Sequence, residues 1–187
     1  MAVLSQTLRA LLFCTLGVTV FLRSACASET PTEYQVKAVF LYNFSHFVDW
    51  PPQSFSSPNE PFVIGILGSD PFGARLDEAV RGEHIDQHPL LVRRFLNVGE
   101  IGDCRILYID RSKGGELTQI LAALDHRTTL TVSELDGSSQ RGVMIQFVTE
   151  SNRIRLRINV ESARAAGLTI SSKLLRPAEI VGTHTGD

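Results

Sequence analysis

The sequence predicts an α/β domain with a mixed, largely parallel sheet of about five to six strands, flanked by helices and ending in a C-terminal antiparallel hairpin. Two patterns support this prediction. Between residues 62 and 134, short apolar runs without polar alternation are separated by helical stretches or turns, which is typical of buried parallel strands joined by crossovers. After residue 143, apolar and polar residues alternate, which indicates a half-exposed antiparallel pair.

Residues 1–27 are predicted to be a cleaved secretory signal peptide, leaving residues 28–187 as a single domain. Arg9 precedes an apolar run from Ala10 to Leu22, and Ala25-Cys26-Ala27 forms a small-residue cleavage site. The run is shorter than the about 20 residues needed to span a bilayer, so we expect an exported, soluble protein. Arg23 occupies the position where a lipoprotein signal carries an aliphatic residue, which argues against lipidation of Cys26.

Charge and cysteine content limit the kinds of partner and of covalent link. The net charge of −2 becomes −4 once Arg9 and Arg23 leave with the signal, which argues against nucleic acid as a partner. Cys104 is then the one cysteine of the mature chain, so no intrachain disulfide can form. Its apolar surroundings favour a buried thiol over a reactive or intermolecular one.

The first predicted element is an aromatic helix from about Thr32 to Asp49, containing "KAVFLYNFSHFVDW". Apolar residues spaced four, four and three apart define its predicted core face: Val36, Phe40, Phe44 and Phe47. Lys37 and Ser45 are expected to fall mostly outside that face. Pro51 ends the helix by restricting Trp50 to extended geometry. The proline-rich stretch from Pro51 to Pro61 is expected to be a linker.

The central elements follow in order. Strands are predicted over "FVIGILG" (62–68), "HPLLVRRF" (88–95), "CRILYI" (104–109) and "TLTVSE" (129–134). A helix capped by Ser69 or Asp70, with Pro71 in its first turn, is expected after the first strand. A second, amphipathic helix is predicted over residues 115–124.

The last third begins with the predicted hairpin, "VMIQFV" and "RIRLRINV" joined at "TESN". Its second arm alternates between isoleucine or leucine and arginine, which predicts one buried and one outer face. Asn159 is expected to cap a helix that Gly167 ends. A short extended piece and a final helix capped by Ser171 or Ser172 should follow, with Pro177 causing a kink or an early stop.

Several stretches could carry chemistry, but ordinary structural readings are favoured for each. "GSDPFG" (68–73) lacks the residues of a P-loop or a dinucleotide fingerprint, so we interpret it as a strand–helix turn rather than an anion cradle. "EHIDQH" (83–88) contains metal-ligating residue types without helical spacing, which favours a solvated loop over a metal site. There is no nucleophile elbow, and a hydrolase, a metal enzyme or a bound cofactor is not indicated.

Three groups of residues are candidates for binding a ligand or a partner. Arg153, Arg155 and Arg157 form an arginine stripe that could bind an acidic partner or a phosphate, or could simply be a solvated face paired with neighbouring acids. Ser171 and Lys173 lie at a predicted helix start, where an anion site and a plain cap both remain open. Phe47 and Trp50 could form an exposed aromatic contact patch at the end of the first helix.

An ordered set of segments also resembles the YfiR-like family of bacterial periplasmic proteins, from about Tyr34 to Val181. The most specific segments are "VFLYNF…F…WP" and "R…INV…AR…GL.ISSKLL", with "VIGILGSDPFG", "CRILYI" and "TLTVSE" between them. The resemblance implies an α/β fold and a non-enzymatic repressor that binds the periplasmic sensor domain of an inner-membrane diguanylate cyclase, lowering cyclic di-GMP and biofilm formation. It also implies an outer-membrane lipoprotein of YfiB type as a possible second partner, and a possible homodimer.

The sequence departs from the family in two places. Some relatives carry redox-linked cysteine pairs, but here Gly65 stands where the partner of Cys104 is expected. Pro177 replaces an expected apolar residue of the last helix. The family supplies no settled set of functional residues. The alternative hypothesis is therefore a periplasmic binding protein for a small ligand, an anion or a nucleotide.

Overall fold

A computed structural model describes residues 32–182. The predicted signal peptide lies outside these residues. Within them, no helix has the length and apolar character required to cross a bilayer.

The chain alternates between strands and helices. The strands are β1 (Val48–Asp49), β2 (Phe62–Leu67), β3 (His84–Ile85), β4 (His88–Phe95), β5 (Ile106–Ile109), β6 (Leu130–Ser133), β7 (Ile145–Glu150), β8 (Arg153–Asn159), β9 (Thr169–Ile170) and β10 (Glu179–Val181). The α-helices are α1 (Glu33–Phe47), α2 (Ala74–Val80), α3 (Leu117–Ala123), α4 (Val160–Ala165) and α5 (Ser172–Leu175). Short 3₁₀ helices span Pro52–Ser54, Val98–Glu100 and Arg111–Glu116.

Eight strands form the central sheet in the order β10-β8-β7-β6-β5-β2-β4-β3, while β1 and β9 pair separately. Strands β4, β2, β5, β6 and β7 run parallel to one another, whereas β3 is antiparallel to β4 and β8 is antiparallel to β7. The predicted α/β class, the largely parallel sheet and the C-terminal hairpin are therefore confirmed. The strand number is higher than expected because the short β3 and the C-terminal β10 extend the two edges.

Two apolar cores lie on the two faces of the sheet. The larger core packs α1 and α2 against alternate residues of the strands, including Ile64, Ile106 and Val132. The smaller core packs α3 against the opposite residues, such as Val63 and Leu107. Strand β2 is buried along its whole length because both faces are covered, which explains its uninterrupted apolar sequence.

Helix α1 begins where the sequence predicts, but a different face is buried. Thr32 and Gln35 form a capping box that fixes the start. The fully buried residues are Lys37, Ala38, Leu41, Phe44 and Ser45. The predicted face was therefore wrong by part of a turn, and Val36, Phe40 and Phe47 lie at its partly exposed border. The spacing of the aromatic residues gave the wrong core face because Lys37 is buried in an ion pair, described below.

The hairpin and the helix after it form as predicted. Ser151 and Asn152 both have positive φ, which the two-residue turn between β7 and β8 requires. Leu156 and Ile158 are buried while Arg153 and Arg155 are exposed, which confirms the alternation. The Asn159 side chain accepts a 2.9 Å hydrogen bond from the Ser162 backbone and caps α4.

Several boundaries differ from the predictions. Helix α1 ends at Phe47, and Val48–Asp49, which were predicted to be helical, form β1. Helix α2 begins after Gly73, later than expected, because the Asp70 carboxylate accepts hydrogen bonds from the Phe72 and Gly73 backbone instead of capping a helix at once. The last helix stops at Leu175, as Pro177 predicted. The following residues Glu179–Val181 form a strand parallel to β8 and not a helix, because they complete the sheet edge.

Candidate functional site

The predicted aromatic patch at the end of α1 is only partly exposed. Phe47 is packed against the larger core. Trp50 meets Phe62 edge to face, with ring centroids 4.9 Å apart. The buried Trp50 Nε1 has no hydrogen-bond partner. Both side chains are half-buried, and Trp50 also lines a groove.

The arginine stripe is divided between pairing and exposure. Arg157 donates a 2.8 Å hydrogen bond to Glu179 and lies 3.5 Å from Glu150, so neighbouring strands neutralise it. Arg153 and Arg155 are exposed and have no ion pair among the described residues. The three guanidinium groups therefore have different surroundings: Arg157 is paired, and Arg153 and Arg155 are exposed.

Ser171 and Lys173 occupy the short helix α5. The Ser171 hydroxyl accepts a 3.3 Å hydrogen bond from the Lys173 backbone, which is the capping role that the sequence left open. The Ser171 backbone N–H donates to Phe47 O at 2.8 Å. Together with the β1–β9 pairing, this bond ties the C-terminal segment to the end of α1.

The start of the predicted "GSDPFG" turn packs against a neighbouring loop. Gly68 has a φ of +97°, and a Cβ there would lie 2.7 Å from Ser112 Oγ and 2.9 Å from Lys113 Cγ. Ser112 also accepts a 3.3 Å hydrogen bond from the Ser69 N–H. At the end of β2, where open α/β sheets often bind ligands, Ser112 and Lys113 therefore occupy the space beside Gly68.

A groove of about 870 Å³ lies at the end of α1. We call it the Trp50 groove. Its walls come from the end of α1, β1, the proline-rich stretch, the start of β2 and the β3–β4 hairpin. Its ionisable or aromatic lining residues are His46, Asp49, Trp50, Phe55, Phe62, His84, Asp86 and His88. "EHIDQH" was predicted to be a solvated loop, but His84 and His88 lie on paired strands because Asp86, with φ of 53°, makes a tight turn.

The proline-rich stretch forms one wall of this groove and is held by stacking. Phe55 stacks on His88 with ring centroids 3.8 Å apart, and the Arg105 guanidinium lies 4.5 Å from the Phe55 ring centroid. Arg105 also binds Glu60 at 2.7 Å. The sequence predicted a linker here, and no local pattern reveals these contacts because they join residues far apart in the chain.

A second ionisable cluster is buried between α1 and the sheet. Lys37 Nζ binds Glu33 Oε1 at 2.5 Å and also binds Glu134, which follows β6. Glu134 also accepts a 2.9 Å hydrogen bond from Tyr34 and contacts Arg111 at 3.1 Å. Lys37 and Glu134 are 1% and 3% exposed, so a charged pair fixes α1 to the sheet.

All three tyrosines of the chain have a raised pKa, two of them because of Glu134 in this cluster. Burial and the hydrogen bond to Glu134 raise the pKa of Tyr34 to about 12. Burial and the Glu134 charge also raise the pKa of Tyr108, and a hydrogen bond to Glu83 raises that of Tyr42. The tyrosinate form is disfavoured in each case because it would lie near a carboxylate or away from water.

We therefore expect native protein to ionise its tyrosines later than unfolded protein, whose tyrosines titrate near pH 10. Unfolded chains lose these protons at lower pH than the native protein does. The contribution of the tyrosines to the free energy of unfolding is therefore fully present below about pH 10 and is lost as the pH rises through the Tyr34 pKa of about 12. Absorbance at the tyrosinate band, measured with and without urea, tests this. Coincident native and denatured titrations would contradict it.

Comparison with known proteins identifies the chain. The model of the YfiR/HmsC-like family matches residues 34–179, which is most of the chain and nearly all of the described fold. This match agrees with the resemblance between Tyr34 and Val181. No curated protein matches the sequence. The span of the match shows that the chain belongs to the YfiR/HmsC-like family.

Proposed function

We propose that this protein is a periplasmic, non-enzymatic regulator that binds the sensor domain of an inner-membrane diguanylate cyclase and represses it. Repression would lower cyclic di-GMP and biofilm formation. The observation that carries this proposal is the family match over residues 34–179, since the family is known as regulatory and non-catalytic. The signal-like residues 1–27 support export to the periplasm.

Two observations on the described residues concern metal binding and nucleophilic chemistry. Residues 32–182 contain no group of three or more His, Cys, Asp or Glu side chains placed to hold a metal ion. The one cysteine in this range, Cys104, is buried, and burial raises the pKa of its thiol to about 12, which makes it a poor nucleophile.

An exposed apolar strip on α1 is a suitable contact face. Val39 is 51% exposed, and Val36 and Phe40 line an adjacent groove of about 440 Å³. Ile154 and Arg153 from the hairpin form the opposite wall of that groove. An apolar centre with a charged rim is the usual composition of a protein–protein interface. We propose this face, rather than Phe47 and Trp50 together, as the one that contacts the cyclase.

Repression requires only a difference in affinity between two states of the partner. A regulator that binds the inactive sensor about a hundred times more tightly than the active one shifts the equilibrium by roughly 2.7 kcal/mol. An interface of ordinary size can supply that difference.

Deleting the gene should raise cellular cyclic di-GMP, and complementation should lower it again. We expect Val39→Asp and Arg153→Glu to fail in complementation, because each introduces a negative charge on the contact face. Arg75→Glu, an equal charge change on exposed α2, is the matched control and should complement fully. Periplasmic immunoblots establish equal protein levels.

Unchanged cyclic di-GMP after deletion, in cells that express the protein, would exclude the repressor function. Full complementation by both Val39→Asp and Arg153→Glu would instead exclude the proposed face, and failure of Arg75→Glu as well would show that the loss is not specific to that face. Capture of tagged protein from solubilised membranes identifies the partner, and it also tests for a YfiB-type lipoprotein and a homodimer.

Binding of an anion or a nucleotide stays an alternative prediction. Three of the features that motivated it have other contacts: Arg157 is paired, Ser171 is a cap, and Gly68 lies against Ser112 and Lys113. A thermal-shift series with nucleotides and inorganic phosphate tests it, since a ligand of the native state raises the melting temperature.

A further inference from the structure

We infer that the Trp50 groove is a binding site for an organic ammonium ion, a small amine with an apolar or aromatic body. The inference rests on the charge, the hydrogen-bonding capacity and the rings of the groove. It does not depend on the proposed regulatory function. It predicts a positively charged ligand, whereas the alternative prediction above is an anion or a nucleotide.

The charge of the lining favours a cation. Asp49 and Asp86 are both lining residues, whereas none of the residues that line the groove is lysine or arginine. Arg105, which contacts the lining residue Phe55, is 8% exposed and already bound to Glu60. Two carboxylates in a lining without lysine or arginine favour a positive ligand over an anionic one.

The imidazoles add hydrogen-bond acceptors. His88 Nδ1 lies 2.7 Å from Glu60 O, and His84 Nδ1 lies 3.1 Å from Gly82 O. A carbonyl oxygen can only accept, so each Nδ1 carries the hydrogen of these bonds. In the neutral ring the lone pair is then at Nε2. Both rings therefore offer acceptors to a ligand, and an ammonium group is a pure donor.

Aromatic walls suit both the charge and the body of such a ligand. Trp50 and Phe55 line the groove, and indole is the aromatic ring that binds cations best. Phe55 already contacts the His88 ring and the Arg105 guanidinium, so Trp50 is the ring that we expect a ligand cation to contact. At about 870 Å³, the groove has the size of a small-molecule site.

Calorimetry on the mature protein tests the inference with two probes of similar shape and opposite charge, 2-phenylethylammonium and 3-phenylpropionate. We expect the amine to bind and the acid to bind at least tenfold more weakly. Asp49→Asn and Asp86→Asn should each weaken amine binding by about tenfold, the effect of losing roughly 1.4 kcal/mol of charge interaction. Asp125→Asn, the same change at an exposed site outside this groove, should have no effect.

Three outcomes would overturn the inference. The first is equal or tighter binding of the acid. The second is amine affinity that neither groove variant alters, and the third is no binding of the amine at millimolar concentration. Zinc ion, titrated without the amine, tests the competing possibility of a metal site, because imidazoles and carboxylates also bind zinc. Zinc binding lost in His84→Ala, together with unchanged amine binding in that variant and in both aspartate variants, would assign the groove to a metal.

Discussion

Replacing Lys37 by methionine is expected to lower the free energy of unfolding by about 3–5 kcal/mol, the usual cost of removing one partner of a buried ion pair. Methionine preserves most of the side-chain volume, so the loss reports charge rather than packing. Glu134 would then be left 3% exposed without its ammonium partner, with Tyr34 and Arg111 as its remaining contacts. Urea denaturation of the mature protein measures the change.

Two further variants distinguish charge pairing from other causes. Lys113→Met makes the same substitution in a pair whose acid, Glu116, is 45% exposed, and it should cost about 1 kcal/mol or less. The double variant Lys37→Met/Glu134→Gln should recover much of the loss, because it removes the stranded carboxylate. A single-variant loss below about 1 kcal/mol, or a double variant no better than the single one, would contradict the role assigned to this pair.

Replacing Gly65 by cysteine is expected to create a disulfide with Cys104. A Cβ at Gly65 would lie 3.5 Å from Cys104 Cβ, within the range found for disulfides. The bond would close a loop of about 40 residues, for which the chain-entropy estimate is roughly 4 kcal/mol. The new side chain would also crowd Phe95 and Leu107, at 2.9 and 3.0 Å, which opposes that gain by about 1–3 kcal/mol.

Comparing the oxidised and reduced forms of this variant isolates the effect of the bond. We expect the oxidised form to melt higher and to show no free thiol after denaturation. Oxidation has to accompany refolding, because burial raises the pKa of Cys104 and leaves little thiolate in the native state. Gly65→Ser, whose side chain is close to cysteine in size and forms no disulfide, measures the loss of stability caused by crowding alone. A thiol count of two after oxidative refolding would show that the two Cβ atoms are not close.

Local sequence patterns were sufficient for most of the fold. Strand β4 has the predicted bounds His88–Phe95, and the hairpin, the Asn159 cap and the early end before Pro177 all form as expected. These features depend on residues within a few positions of one another, so their physical cause is visible in the sequence. The ordered set of sequence segments was likewise sufficient to predict the family, and the family match over residues 34–179 confirms that prediction.

Tertiary structure alone decided which polar residues are buried and where a groove forms. Lys37 looked like a surface residue because its buried partner, Glu134, is 97 positions away. Residues 179–181 became a strand because the edge of β8 was free to pair with them. The Trp50 groove joins the end of α1 to "EHIDQH" through the proline-rich stretch. Pairings at such separations depend on how the elements pack, and short-range periodicity carries no information about that.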